Sequence, residues 1–340
     1  MEELDSQAIS QETPAENVFI APSIDKQAIL AGQSYTRHSP IPETIAQDLT
    51  TECVIGIDEA GRGPVLGPMV YSLLYLSETM HHSLLAKTHH FDDSKVLTPS
   101  VRSALMSKLC AQGTDLHRNC GWATRVMSAR DISARMMKAA GSYNLNAQAM
   151  DATIALIQDV FAKGINVREI FIDTIGSPAI YQKKLERIFP TTSITVAKKA
   201  DSLYPCVSAA SVCAKVTRDA ALEVCYETYV NDPVNKDNSQ ISAEGWGSGY
   251  PSDARCTAWL KANMNPIFGW GSECRFSWGT AKDLLEAKGS NVRVEWPDDD
   301  DDDQGMRVTD FFPASMGAQK EEEFNELGTW FGKPAAEEVF

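Results

Sequence analysis

The segment from Cys53 to Gly63, CVIGIDEAGRG, constrains the chain more than any other. A short apolar, β-branched run ends in two adjacent carboxylates, Asp58 and Glu59, and passes into a Gly-Arg-Gly turn. The run reads as a buried strand. Neighbouring charges at the end of such a strand are costly unless a cation or a partner offsets them. Glycines at 61 and 63 allow the backbone to approach a ligand such as a phosphodiester closely. Acids for a metal beside such a turn point to phosphodiester chemistry.

Downstream, Val65 to Leu76 reads as a second strand pairing with the first, while Ser100 to Cys110 and Ala147 to Lys163 have helical spacing, the latter stopping at Gly164. Val167 to Thr174 becomes an apolar run closing on Asp173, and Ser193 to Ala197 is a further strand leading through Lys198 and Lys199 to Asp201. A helix then opens near Pro205 and runs towards Tyr226, with Ser208, Ala209, Ala210 and Ser211 small enough for close packing. Cys256 to Asn263 and Thr280 to Lys288 read as helices of a smaller extension, after a polar loop over 231–244. The pattern is α/β: a mixed sheet with helices on its faces.

Asp58, Glu59, Asp173 and Asp201 thus stand at strand ends or a helix start. Hydrolysis of a phosphodiester by two Mg²⁺ ions about 3.5 to 4 Å apart needs several hard oxygen ligands brought from separate strands. From the pattern alone, Asp201 could equally be a helix cap and Asp173 the start of a turn.

The net charge of −15 is unevenly placed: residues 1–50 hold 8 acids against 2 bases and residues 297–340 hold 13 against 3, leaving 51–296 at +1. Both ends read as disordered acidic tails, the second carrying the unbroken run Asp298 to Asp303, best taken as a solvated spacer. Eight cysteines without a CxxC pair, and no apolar signal core in the first 30 residues, read as reduced thiols in a cytosolic or nuclear setting. The longest apolar stretch, Val65 to Leu76, is too short for a bilayer, so no membrane partner is expected.

VIGIDEAGRGPVLGPMVY closely resembles the opening motif of the type 2 ribonuclease H family, within it the catalytic subunits of eukaryotic enzymes. DDSKVL at 92–97, YNLN at 143–146, VREIFIDTIGSP at 167–178, KADSLYPCVSAASVCAKVTRD at 199–219, GSGYPSD at 247–253 and RFSW at 275–278 follow in order. The resemblance implies a ribonuclease H-like mixed five-stranded sheet flanked by helices over 51–228 and a helical C-terminal extension with a substrate-sensing loop over 229–296. It places the family's four metal ligands on Asp58, Glu59, Asp173 and Asp201, holding two Mg²⁺ ions, with Mn²⁺ as the alternative. It implies hydrolysis of RNA in RNA/DNA hybrids and cleavage 5′ of ribonucleotides embedded in duplex DNA, leaving a 3′-hydroxyl.

The same resemblance puts 2′-hydroxyl reading on Gly61, Arg62 and Gly63, and junction sensing on Tyr250; otherwise the glycines only shape a turn and Tyr250 is a packed aromatic. With a core near neutrality, phosphate contacts fall to local donors: Lys95, Asn144, Lys198, Lys199, Lys215 and Arg218. Lys215 and Arg218, spaced i and i+3, could instead form a solvated or salt-bridged helix face, and Lys183, Lys184 and Arg187 read as exposed helix surface. Family membership further implies a heterotrimer with two non-catalytic subunits, and the expected task a nuclear address, with the cytoplasm as alternative and no import signal visible. In the tail 297–340, Val308, Phe311 and Phe312 have the spacing of a sliding-clamp-binding box, although Gly305 stands where glutamine is usual; the aromatic pair could instead dock on another protein of the same assembly. A non-catalytic assembly component and a different metal nuclease on the same fold are the competing readings, disfavoured by the complete acid set and by the Gly-Arg-Gly and Tyr250 elements respectively.

Overall fold

A computed structural model describes residues 19–91, 97–138, 143–174, 177–231 and 245–287. The expectations placed on Lys95, on the polar loop beyond Asn231, and on the acidic tail with Val308, Phe311 and Phe312 lie outside these residues.

The fold is a mixed sheet between helices. In chain order, the described elements up to the middle of the sheet are α1 (Lys26–Leu30), β1 (Tyr35–His38), α2 (Glu43–Gln47), β2 (Cys53–Ala60) and β3 (Met69–Ser77), followed by a π-helical segment His81–Thr88. Next come α3 (Pro99–Cys110), α4 (Asp115–Asn119), β4 (Cys120–Met127), α5 (Ala129–Met136), α6 (Leu145–Ala162) and β5 (Val167–Asp173). The chain continues through α7 (Pro178–Ile188), β6 (Ser193–Ala197), α8 (Pro205–Asn231), α9 (Ala254–Ala262) and α10 (Gly279–Glu286).

Strands run in the order β1-β4-β3-β2-β5-β6, so β2 is central, antiparallel to β3 and parallel to β5. One face of the sheet carries Ile55, Ile57 and Leu73 against Leu156, Ile157 and Val160 of α6 and Leu185 of α7. The other carries Val54, Leu74 and Leu76 against α3 and the first turns of α8. This division follows from the two-residue period of a strand buried on both sides. Gly56 explains how α8 lies so near: a Cβ there would fall 2.2 Å from the Cys206 carbonyl carbon, so only glycine admits the helix backbone at that point. A third cluster, built by Val65, Leu66, Leu222, Trp246, Trp259 and Trp270, joins α9 and α10 to the β2–β3 turn.

Among the described residues the sheet has six strands rather than five, and the sixth corrects the reading of 1–50 as a disordered tail for residues 19–50; residues 1–18 lie outside the described residues. Within that segment, Tyr35–His38 forms β1 on the edge of β4, Ile45 is fully buried, and the Ser23 hydroxyl meets that of Thr217 on α8 at 2.7 Å. The polar sequence YTRH gives no alternation because an edge strand is held by backbone pairing, not by an apolar face. The second expected strand also begins late, at Met69, because residues 65–68 turn to meet the extension: Val65 donates to Gly249 O (2.9 Å) and Gly67 to Glu273 O (2.8 Å). The boundary drawn at 228 falls inside α8, which runs unbroken to Asn231. Among the described residues no helix is long and apolar enough to cross a membrane.

Candidate active site

The acids converge at the carboxyl ends of the central parallel strands, where open α/β sheets place their ligands. The last paired residues of β2 and β5 in register are Ile57 and Ile172, so Asp58 and Asp173 follow side by side. Asp201 sits in a short 3₁₀ turn after β6, and the Ala200 N–H donates to Asp173 Oδ1 (2.9 Å), tying that turn to the end of β5. Asp58 is almost fully buried; its Oδ1 accepts the Glu59 N–H at 2.7 Å, and the Ser211 side chain of α8 hydrogen-bonds it. Burial, then the charges of Glu59 and Asp173, hold the Asp58 carboxyl well above the usual carboxylate range. Glu59 is pushed up to about 7, first by burial and further by Asp173 and Asp201, with Arg62 opposing.

All four acids therefore share one field. Asp201, 3% exposed, lies inside it, which a solvent-facing helix cap would not. Among the described residues no three His, Cys, Asp or Glu side chains already close into a ligand shell. The donor set is all hard oxygen, without thiolate or imidazole, and so fits Mg²⁺-type ions rather than zinc.

Beside the acids, the Gly61–Gly63 turn is gripped from behind. Arg275, with no exposed surface, donates to the carbonyls of Gly61 (2.6 Å), Arg62 (2.8 Å) and Gly67 (3.0 Å). Its guanidinium lies 4.7 Å from the centre of the Trp278 ring, whose indole N–H donates to the Gly63 carbonyl at 3.0 Å. Gly61 has φ +76, and a Cβ there would come within 2.7 Å of the Pro68 carbonyl oxygen. Tyr250 covers the turn, its ring carbon 3.2 Å from where a Gly63 Cβ would stand, and remains partly exposed.

A family model described as Ribonuclease HII matches residues 55–281, two thirds of the chain and the whole of this site. The chain belongs to the ribonuclease HII family. It is 57% identical to the A subunit of Neurospora crassa ribonuclease H2 over 95% of its own length and 97% of that protein's. Against the corresponding human ribonuclease H2 protein it is 41% identical, covering 81% and 85%. Among solved structures, Pyrococcus horikoshii ribonuclease H2 superposes with a TM-score of 0.53 at 27% identity, covering 69% of this chain and 97% of that one. The Archaeoglobus fulgidus PCNA:RNase HII complex gives 0.54 at 25% identity, covering 70% and 100%. The enzyme is thus a nuclease that hydrolyses the RNA of RNA/DNA hybrids, on the ribonuclease H-like fold that its motifs implied.

Within this ribonuclease HII site, some expected phosphate donors are otherwise engaged. Arg218 turns inward instead of presenting a solvated helix face. It donates to the Ser248 carbonyl, pairs with Asp219 at 3.0 Å, and stands 5.7 Å from the centre of the Tyr250 ring, so it buttresses the loop that carries Ser248 and Tyr250. The Asn144 side-chain oxygen caps α6, accepting from the Ala147 N–H at 2.9 Å, while Asn146 two residues on accepts from Arg62. Arg62 also hydrogen-bonds Tyr71, the β3 residue opposite Glu59. Lys198 and Lys199 are exposed beside Asp201, Lys199 at φ +58, and Lys215 is half-buried on α8. Ser211, Asn146, Arg275 and Trp278 escaped assignment from the sequence. All four lie in quoted motifs, and Arg275 alone carries a signal of its own, an arginine heading an aromatic run.

Proposed function

We propose that the chain is the catalytic subunit of a multi-subunit ribonuclease H2 in which Asp58, Glu59, Asp173 and Asp201 hold two divalent ions, Mg²⁺ or Mn²⁺. The observation that carries this is the convergence of Asp58 and Glu59 at the end of β2, Asp173 at the end of β5 and Asp201 in the turn after β6. Bound there, such ions supply activation of water and neutralisation of charge on the leaving 3′-oxygen. The chain itself contributes ligand placement: Ser211 and the Glu59 N–H orient Asp58, the Ala200 N–H orients Asp173, and Arg62 sits beside Glu59.

Reading of the ribose belongs to the gripped turn. Because a trans peptide sets its N–H opposite its C=O, carbonyls of Gly61 and Arg62 aimed at Arg275 turn the N–H groups of Arg62 and Gly63 away from it. Those donors, with Tyr250 against the adjoining sugar, support recognition of a 2′-hydroxyl, the group DNA lacks. The substrates on this reading include duplex DNA with embedded ribonucleotides, cut on the 5′ side to leave a 3′-hydroxyl.

Relatives named as one lettered subunit of ribonuclease H2 support assembly with other chains, and two non-catalytic ones in a nuclear heterotrimer complete the reading. The Archaeoglobus relative solved with PCNA, a sliding clamp, supports a clamp-binding role for Val308, Phe311 and Phe312.

Matched duplexes with and without a single ribonucleotide, incubated with the assembled enzyme in Mg²⁺ and in chelator, test the proposal. Metal-dependent cleavage confined to the ribonucleotide-containing duplex, lost in Asp58→Asn with Asp173→Asn, is expected. Cutting of the all-DNA duplex, or full activity of that variant, would reject it.

A further inference from the structure

The loop that carries Tyr250 is closed by one carboxylate. Asp253 stands at the N-cap of α9, where its Oδ1 accepts the Arg255 N–H at 3.0 Å. Capping needs only that oxygen, yet the other is also engaged, back along the chain: Asp253 Oδ2 accepts both the backbone N–H of Ser248 (2.8 Å) and the Ser248 hydroxyl (3.0 Å). The Arg255 guanidinium bridges the two oxygens, with Nε on Oδ1 at 3.2 Å and Nη2 on Oδ2 at 3.1 Å, so the carboxylate is oriented from both sides.

Tyr250 lies within the segment so closed. The Asp253 N–H donates to the Tyr250 carbonyl at 3.0 Å, and the Gly249 carbonyl accepts from the N–H groups of Val65 (2.9 Å) and Leu66 (3.2 Å), just beyond the Gly61–Gly63 turn. Backbone on either side of Tyr250 is therefore fixed, by Asp253 at one end and by the segment after the turn at the other. Gly247 shows how closely Asp253 is approached: it has φ +58, and a Cβ there would fall 2.3 Å from Asp253 Oδ2. The outcome is the placement of the Tyr250 ring, one carbon of which stands 3.2 Å from where a Gly63 Cβ would be.

We infer that Asp253 is a positioning residue for recognition of an embedded ribonucleotide, setting through Ser248 where the Tyr250 ring stands over the Gly61–Gly63 turn. The inference rests on the reading of Tyr250 against the adjoining sugar and extends it to the group that places the ring.

Asp253→Asn separates this role from plain helix capping. An amide offers one acceptor oxygen where a carboxylate offers two, so the variant can satisfy α9 or Ser248 but not both. For the assembled enzyme, kcat/KM is measured on a duplex with a single ribonucleotide and on a long RNA/DNA hybrid, in wild type, Asp253→Asn, Tyr250→Ala and the double variant. The ratio of the first value to the second should fall by about tenfold or more in Asp253→Asn, as expected when a contacting group is displaced. In the double variant it should fall no further than in Tyr250→Ala, because both changes act through one ring. Ser248→Ala, which deletes the hydroxyl bond and leaves the cap whole, should lower the ratio by about threefold and decides the matter should Asp253→Asn fail to fold. An equal fall on both substrates, or a double variant whose losses multiply, would leave Asp253 a cap and overturn the inference. A wild-type ratio in Asp253→Asn or Ser248→Ala beside a lowered one in Tyr250→Ala would overturn it while leaving the reading of Tyr250 intact. An unchanged ratio in Tyr250→Ala would remove both.

Discussion

The buried guanidinium of Arg275 donates to the carbonyl oxygen of Gly61 at 2.6 Å across 214 positions of sequence. Three backbone carbonyls and the Trp278 ring take the place of a carboxylate partner, and burial, aided by the charge of Arg218, lowers the Arg275 pKa to about 9. Such a group is tolerable only while its hydrogen bonds are complete.

Arg275→Lys keeps the charge but replaces a planar fork by a point donor, leaving at least one of the Gly61, Arg62 and Gly67 carbonyls unmatched. A loss of about 3 kcal/mol in unfolding free energy is expected. Selectivity for a single ribonucleotide should fall more than cleavage of long hybrids, because the turn that fixes the Arg62 and Gly63 N–H groups loosens. Denaturant unfolding and paired cleavage assays check both.

Gly56→Ala should destabilise by about 3 kcal/mol or more, since its methyl group would meet α8 backbone rather than a yielding side chain. Because α8 carries Ser211 against Asp58, activity should fall even where the protein remains folded. Thermal melting and steady-state rates of the same preparation separate the two losses.

His81 predicts a pH dependence. Its Nε2 accepts the Cys206 N–H at 3.1 Å, and burial, with the neighbouring His82, lowers its pKa from 6.5 to about 4. Between those values the unfolded chain takes up a proton that the folded one refuses. Stability from this group is complete above pH 6.5 and is lost as pH falls towards 4, by about 3 kcal/mol in all. Unfolding curves at about pH 7, 5.5 and 4.5 should show the decline, and His81→Gln, which keeps an acceptor without the titration, should flatten it.

Glu59→Gln removes a carboxyl whose ionisation burial and the neighbouring acids oppose. In chelator the variant should be more stable than wild type by about 1 to 2 kcal/mol, while Mg²⁺ should stabilise wild type and narrow the gap. Activity should drop by about a thousandfold, consistent with the loss of a metal ligand. Melting curves with and without Mg²⁺, together with cleavage rates, measure each effect.

The strands that carry Asp58 and Asp173 were legible because each is an apolar run ending abruptly in an acid, and the small residues of α8 announced close packing. The β1 strand was not, since Tyr35–His38 owes its form to backbone pairing with β4. The i, i+3 spacing of Lys215 and Arg218 could not say which side of α8 faced water. Only the Ser248 carbonyl and the Tyr250 ring turned Arg218 inward.

Local order along the chain thus determined which residues could form strands, helices and acid-bearing ends, because those depend on neighbours a few positions apart. Tertiary structure alone decided that Asp201 joins acids nearly 150 positions earlier and that Arg275 grips Gly61. Burial, mutual repulsion and hydrogen-bond satisfaction are properties of surroundings, and distant segments supply those surroundings only when the chain has closed on itself.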